Sequence, residues 1–150
     1  MKQIKEYNLK LTKPKNDKEH SILLRLKTII NEYLTDGKKE LFKELKDINV
    51  KLDLKDKFKT DFSKKVLDTI INTKPGELTT YSEIADKINS KAYRAVGGVL
   101  RNNPLPLIIP CHRVIKNGGK IGGYMGKTNK EWQIQLKRKL LEIEGNLIPD

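Results

Sequence analysis

Apolar positions in the chain fall into two kinds of spacing. Tyr7, Leu9 and Leu11 alternate with polar residues, which predicts a strand ending near Pro14. Residues 15–20 are polar and read as a loop. From Ser21 the spacing changes. Ile22, Leu23, Leu26, Ile29, Ile30, Tyr33 and Leu34 follow a helical period, and Asp36-Gly37 supplies a stop. Residues 38–46 extend as a second short helix. Ile48, Val50, Leu52 and Leu54 alternate, as in a strand or an extended linker, and Lys55-Asp56-Lys57 marks a domain boundary.

Thr60 caps a helix bearing Phe62, Val66, Leu67, Ile70 and Ile71, which ends at Lys74-Pro75-Gly76. Thr80-Tyr81-Ser82-Glu83 fits a capping box and opens a short helix through Ile84, Ala85 and Ile88. After the tight connection Asn89-Ser90, with Ser90 as cap, a third helix runs over residues 91–101. This pair resembles a helix-turn-helix. Residues 105–110 are extended, apolar and buried. Asn117-Gly118-Gly119 and Gly122-Gly123 bracket a short hairpin. A last helix over residues 129–144 puts Trp132, Leu136, Leu140 and Ile143 on one face, and Gly145 stops it.

Composition narrows the class. A chain of 150 residues forms one ordinary domain or two small ones. It has no apolar run of membrane-spanning length and no apolar N-terminal leader, so a cytoplasmic protein is expected. One cysteine excludes an internal disulfide, and with two histidines a Cys/His zinc site is not expected. The formal net charge is +12. Residues 1–56 hold 14 basic and 10 acidic residues, and residues 57–150 hold 17 and 9. Such a field favours a polyanionic partner, nucleic acid above all, although a lysine-rich solubilising surface gives the same excess.

The third helix reads Ala92-Tyr93-Arg94-Ala95-Val96-Gly97-Gly98. Two interior glycines cost roughly 1 kcal/mol each relative to alanine. Either another helix packs tightly there, or the small-residue face enters a DNA groove with Arg94 reaching bases or phosphate. The lone Cys111 is either a small buried hydrophobe or a nucleophile. Its neighbours favour the second. A stiff two-proline segment leads into Cys111-His112-Arg113, and His112 can act as base if the chain turns at Cys111 or a water bridges the pair. Gly126-Lys127-Thr128 ends like a phosphate-binding loop, but Ile121 stands where that motif needs glycine.

The chain resembles the O6-alkylguanine-DNA alkyltransferases. The resemblance rests on Pro110-Cys111-His112-Arg113-Val114, with Thr80-Tyr81, Arg94-Ala95-Val96-Gly97-Gly98, Arg101-Asn102-Asn103-Pro104, Gly122-Gly123-Tyr124 and Lys137-x-x-Leu140-Leu141-x-x-Glu144-Gly145 around it. It covers about residues 57–146. Residues 1–56 correspond by position and length to the family's variable N-terminal domain. The resemblance implies an α/β (α+β) protein. It would have a small RNase H-like sheet-plus-helix domain over 1–56 and a winged-helix-like domain with a helix-turn-helix over 57–150.

It also implies repair of O6-alkylguanine in double-stranded DNA by a monomer. Cys111 would be the permanent alkyl acceptor. His112 would be base through a water, and Glu144 would orient its ring. Tyr81 would serve the flipped guanine and its phosphate, and Asn103 would brace the active-site turn. On the DNA-binding helix, Arg94 would replace the extruded nucleotide, with Tyr93, Ala95, Gly97 and Gly98 facing the groove. Pro106 and Tyr124 would wall the pocket beside Met125, with Lys137 nearby. The carbonyls of Cys111 and Val114 would accept from the guanine amino group. Neither metal nor cofactor is implied.

Several positions depart from the pattern. Met125 stands where many relatives have serine, and Tyr93 where a small residue or proline is common. The loop from Gly126 to Lys137 is long, and the zinc-binding residues of some relatives are missing. Three other readings remain: an alkyltransferase-like lesion sensor, whose known examples lack the cysteine; a helix-turn-helix regulator; and a cysteine hydrolase.

Overall fold

The computed structural model describes residues 15–128 and 131–149. The strand expected over residues 7–11 lies outside them. Among the described residues there are six α-helices and two very short strands. Helix α1 (Asp17–Asp36) and α2 (Leu41–Asp47) come first, then α3 (Asp61–Ile71), β1 (Thr79–Thr80), α4 (Tyr81–Lys87) and α5 (Tyr93–Arg101). A single 3-10 turn (Cys111–Arg113), β2 (Val114–Ile115) and α6 (Trp132–Ile143) complete the order. The result is α+β, mostly helical, with one two-stranded sheet. In it β1 and β2 run parallel, Thr79 opposite Val114 and Thr80 opposite Ile115.

The helix boundaries follow local chemistry. Helix α1 starts four residues before Ser21, because Asn16 accepts from the Glu19 N–H and draws the polar segment into the helix. Its end is as expected: Gly37 takes a left-handed φ of 67° and donates to the Tyr33 carbonyl. Thr60 caps α3 with Ser63 as its reciprocal partner, and Thr80 caps α4 with Glu83. Ser90 does not cap α5. Its hydroxyl accepts from the Ala92 N–H, and the helix starts only at Tyr93.

Of the two forms expected for the segment from Ile48 to Leu54, the linker is the one present, since residues 50–54 form no strand. Two other expectations are corrected. Residues 105–110 are looped rather than extended. The Ile109 N–H returns to the Leu105 carbonyl, Leu107 has a φ of 81°, and only Ile109 and Pro110 are buried. No strand pair forms over residues 116–127. Lys116 and Lys120 close a glycine turn, and Tyr124 and Lys127 exchange both backbone hydrogen bonds across a second tight turn.

One core joins the elements. Val66 and Ile70 of α3, Ile84 of α4, Val96 of α5 and Leu140 of α6 close around Val114 and Ile109. Ile29 and Tyr33 of α1 join the same cluster. On α1, however, Leu23 and Leu34 remain exposed. The buried face of α6 consists of Gln133, Ile134, Lys137, Leu140 and Leu141, rotated from the face that apolar spacing suggested, and Leu136 is exposed. A lysine among those residues hides the true face from a hydropathy reading.

Candidate active site

Cys111 opens the 3-10 turn, which bends the chain where an extended segment would have sent Cys111 and His112 to opposite sides. Its backbone N–H donates to the Ile109 carbonyl at 2.8 Å, and the Val114 N–H returns to the Cys111 carbonyl. Asn103, just beyond the end of α5, ties this turn to the helix. Its Nδ2 donates to Cys111 Sγ at 3.0 Å and to the Ile109 carbonyl at 3.0 Å, while its Oδ1 accepts from the Leu105 N–H. Burial pushes the Cys111 thiol pKa up, and the Asn103 contact and the Lys137 charge only partly oppose this. At rest the sulfur is a thiol.

His112 is fully buried. Its Nε2 lies 3.0 Å from Glu144 Oε1 and 3.2 Å from the Tyr33 hydroxyl, and its Nδ1 has no hydrogen-bond partner among the described residues. Among them, no hydrogen bond joins the ring to Cys111. Burial holds the imidazole below its usual pKa despite the Glu144 carboxylate, so the ring is neutral near pH 7. Glu144 sits at the C-terminal cap of α6. Burial opposes its ionisation, but hydrogen bonds from His112 and Arg113 outweigh this and bring its pKa to about 2. Arg113 grips the carboxylate with Nε at 3.1 and 3.0 Å and Nη2 at 2.7 Å, and its Nη1 donates to the Thr73 carbonyl at 2.5 Å.

Cys111 borders a cleft of about 610 Å³. Tyr81, Tyr93, Arg94, Gly97 and Gly98 line one side, and Tyr124 and Met125 another. Pro106, Val114 and Lys137 do not line it. Lys137 lies fully buried, and its ammonium donates to the carbonyls of Val114 at 2.5 Å and Gly123 at 3.0 Å. Burial brings its pKa down to about 8, opposed by Cys111. Tyr81 is raised by burial and then by the Cys111 charge. On α5, Tyr93, Arg94, Ala95 and Gly98 face solvent. A Cβ at Gly98 would meet no atom within 4 Å, and one at Gly97 only the Tyr81 ring at 3.8 Å. Internal packing therefore does not demand these glycines.

Two participants went unnoticed in the sequence. Arg113 stood inside the quoted motif without a role. Tyr33 carried only a helical-spacing signal, in a segment with no motif.

Fold and site together define a class: a helix-turn-helix pair whose second helix is tied through Asn103 to a separate turn that carries a buried cysteine. The match that follows is more specific. The chain belongs to the family of the 6-O-methylguanine DNA methyltransferase DNA-binding domain, whose pattern covers residues 61–146. A methylated-DNA–protein-cysteine methyltransferase of Methanothermobacter thermautotrophicus is 42% identical over 86 residues, 57% of this chain and 45% of that protein. The crystal structure of the O6-methylguanine-DNA methyltransferase from Pyrococcus kodakaraensis aligns with 97% of this chain and 74% of its own, with 27% identity and a TM-score of 0.61. The Mycobacterium tuberculosis OGT crystallised in complex with DNA matches 57% of this chain and 49% of its own, at 43% identity and a TM-score of 0.50. The chain spans about half the length of the curated relatives it matches. No described helix is long and apolar enough to cross a membrane.

Proposed function

We propose that this protein repairs O6-alkylguanine in double-stranded DNA by a single, stoichiometric transfer of the alkyl group to Cys111. The observation that carries the reading is Cys111 on the edge of a cleft with room for a base, followed in the same turn by a buried imidazole held by the Glu144 carboxylate. The exposed small-residue face of α5 enters the groove, and Arg94 fills the space left when the damaged base swings into the cleft. Ala95, Gly97 and Gly98 let the backbone come close to the DNA, and the exposed Tyr93 ring at the start of α5 faces the groove. Asn103 holds the sulfur in place. His112, oriented by Glu144, takes the thiol proton through a water. The thiolate attacks the alkyl carbon, an S–C bond forms, and the C–O6 bond breaks. The electron pair leaves with guanine, and Tyr81 supplies a hydrogen bond or proton as charge develops there.

The carbonyls of Cys111 and Val114 receive the guanine amino group on lone pairs left beside their internal bonds. Tyr124 and Met125 wall the cleft, Lys137 supports it through the Gly123 carbonyl, and Pro106 is assigned to the substrate pocket by the resemblance alone. The matched segment begins at residue 61, in keeping with a boundary between residues 1–56 and 57–150. We take the protein to act on double-stranded DNA as a monomer in the cytoplasm.

Mass spectrometry tests the proposal after incubation with a duplex containing O6-methylguanine. One methyl group per chain, on Cys111, is expected. Tight binding without a mass gain would identify a lesion sensor instead. Repeated turnover would identify another enzyme, and preference for one undamaged sequence a regulator.

A further inference from the structure

The Tyr33 hydroxyl reaches the centre of the site from α1, outside the segment that matches the family. It lies 2.6 Å from Glu144 Oε1 and 3.2 Å from His112 Nε2, and its ring is completely buried against the imidazole, centroids 6.5 Å apart. Gly37 makes this approach possible. Helix α1 ends there against the end of α6, and a Cβ at Gly37 would collide with the Ile143 carbonyl, one residue from Glu144. The two helix ends are thus packed so closely that the hydroxyl and the carboxylate must meet.

Hydrogen counting gives the contact a chemical consequence. Glu144 is ionised and only accepts. The single hydroxyl hydrogen of Tyr33 is therefore committed to Glu144 Oε1, and burial, then the Glu144 bond, keeps the phenol from ionising. Its oxygen can then only accept from His112. Both neighbours of Nε2, the carboxylate and the phenol oxygen, are acceptors, so Nε2 must carry the proton of the neutral ring. The lone pair is left on Nδ1, the ring nitrogen without a hydrogen-bond partner among the described residues.

We propose that Tyr33 is a positioning residue which, with Glu144, locks His112 in the Nε2–H tautomer and so presents Nδ1 as the base for Cys111. The N-terminal helix then belongs to the active site rather than to an independent appendage. This inference rests on the reading of Cys111 as alkyl acceptor only for its kinetic consequence, since the tautomer exists without substrate.

The test uses the full chain labelled with ¹⁵N-histidine and a long-range proton–nitrogen spectrum near pH 7. The chain has two histidines, and the exposed His20 serves as an internal reference. Wild-type His112 should show a protonated Nε2, an unprotonated Nδ1 and a through-space contact between Nε2–H and the Tyr33 ring. In Tyr33→Phe the Glu144 carboxylate still accepts from Nε2, so the Nε2–H signal should remain but exchange faster with water and shift from its wild-type position. The substitution should also slow benzylation of Cys111 by free O6-benzylguanine about 10-fold, in the range lost when a partner orienting a histidine is removed. A wild-type ring protonated at Nδ1 overturns the proposal. So does a folded Tyr33→Phe variant whose Nε2–H exchange and benzylation rate are both unchanged. Should that variant not fold, the wild-type spectrum decides alone, and loss of the Nε2–H contact to Tyr33 refutes the lock. Failure of the wild-type protein to be alkylated would sink the repair reading and leave the tautomer result standing.

Discussion

Asn103 and Cys111, eight residues apart, are joined by a 3.0 Å hydrogen bond from the amide nitrogen to the sulfur. The same nitrogen holds the Ile109 carbonyl, so one side chain sets both the backbone turn and the thiol's direction. Asn103→Ala removes three hydrogen bonds in a part-buried setting. A loss of about 1–3 kcal/mol in stability is expected from the unpaired partners. Alkylation by free O6-benzylguanine should slow as well. Denaturant melts and rate measurements on the purified variant check both, and a variant with wild-type stability and rate would show that the turn holds itself.

Gly98 offers a sharper separation of folding from function. The helix is ordinary there and a methyl group meets nothing. Gly98→Ala should raise stability by roughly 0.5–1 kcal/mol, as removal of an interior helical glycine does. Repair of alkylated duplex should nevertheless fall, because the methyl group stands where the DNA backbone approaches. Thermal melts and duplex repair rates measured side by side test the pair. Repair at the wild-type rate would mean that this face does not enter the groove.

Arg94→Ala should weaken reaction with duplex far more than with free O6-benzylguanine. Arg94 is exposed on α5 and lines the cleft, and in the proposed repair reaction it would occupy the stack vacated by the flipped base. Unstacking costs a few kcal/mol in duplex and nothing for a free base. Equal losses on both substrates would assign Arg94 another task.

Acid should destabilise the protein in two overlapping stages. His112 has a depressed folded pKa, so the unfolded chain binds a proton that the folded chain refuses as pH falls through about 6.5. Glu144 is also depressed, to about 2, against an unfolded value near 4.5. Its contribution is complete above that unfolded value and disappears as pH falls through 2. Stability should therefore fall from about pH 6.5 downward. In His112→Gln the first stage should vanish and the second remain, a contrast that urea melts across this range would reveal.

Methylation of Cys111 should lower the melting temperature. The residue is only 6% exposed, and its sulfur is engaged by Asn103. An added methyl group crowds the turn at a cost of roughly 1–3 kcal/mol. Calorimetry on the unmodified and methylated proteins, without DNA, measures it. An unchanged midpoint would show that the cleft absorbs the group freely.

Much of this protein was readable from residue order because the signals were local. Capping pairs such as Thr80 with Glu83 and the stop at Gly37 act within a turn of helix, so sequence spacing determines them. The motif around Cys111 likewise picked out Cys111 and His112 as the candidate thiol and base, and the resemblance to the family pointed to Glu144, which the structure brings to His112. Tertiary structure decided where local signals conflict with burial. Lys137 turns inward because two carbonyls receive its ammonium, which rotates the buried face of α6. Residues 105–110 loop because the chain must return to Asn103 before it reaches the sulfur. The meeting of Tyr33 with Glu144, 111 residues apart, could not be read from spacing. It depends on two helix ends packing at Gly37, and the consequences for the histidine proton arise only in that packed arrangement.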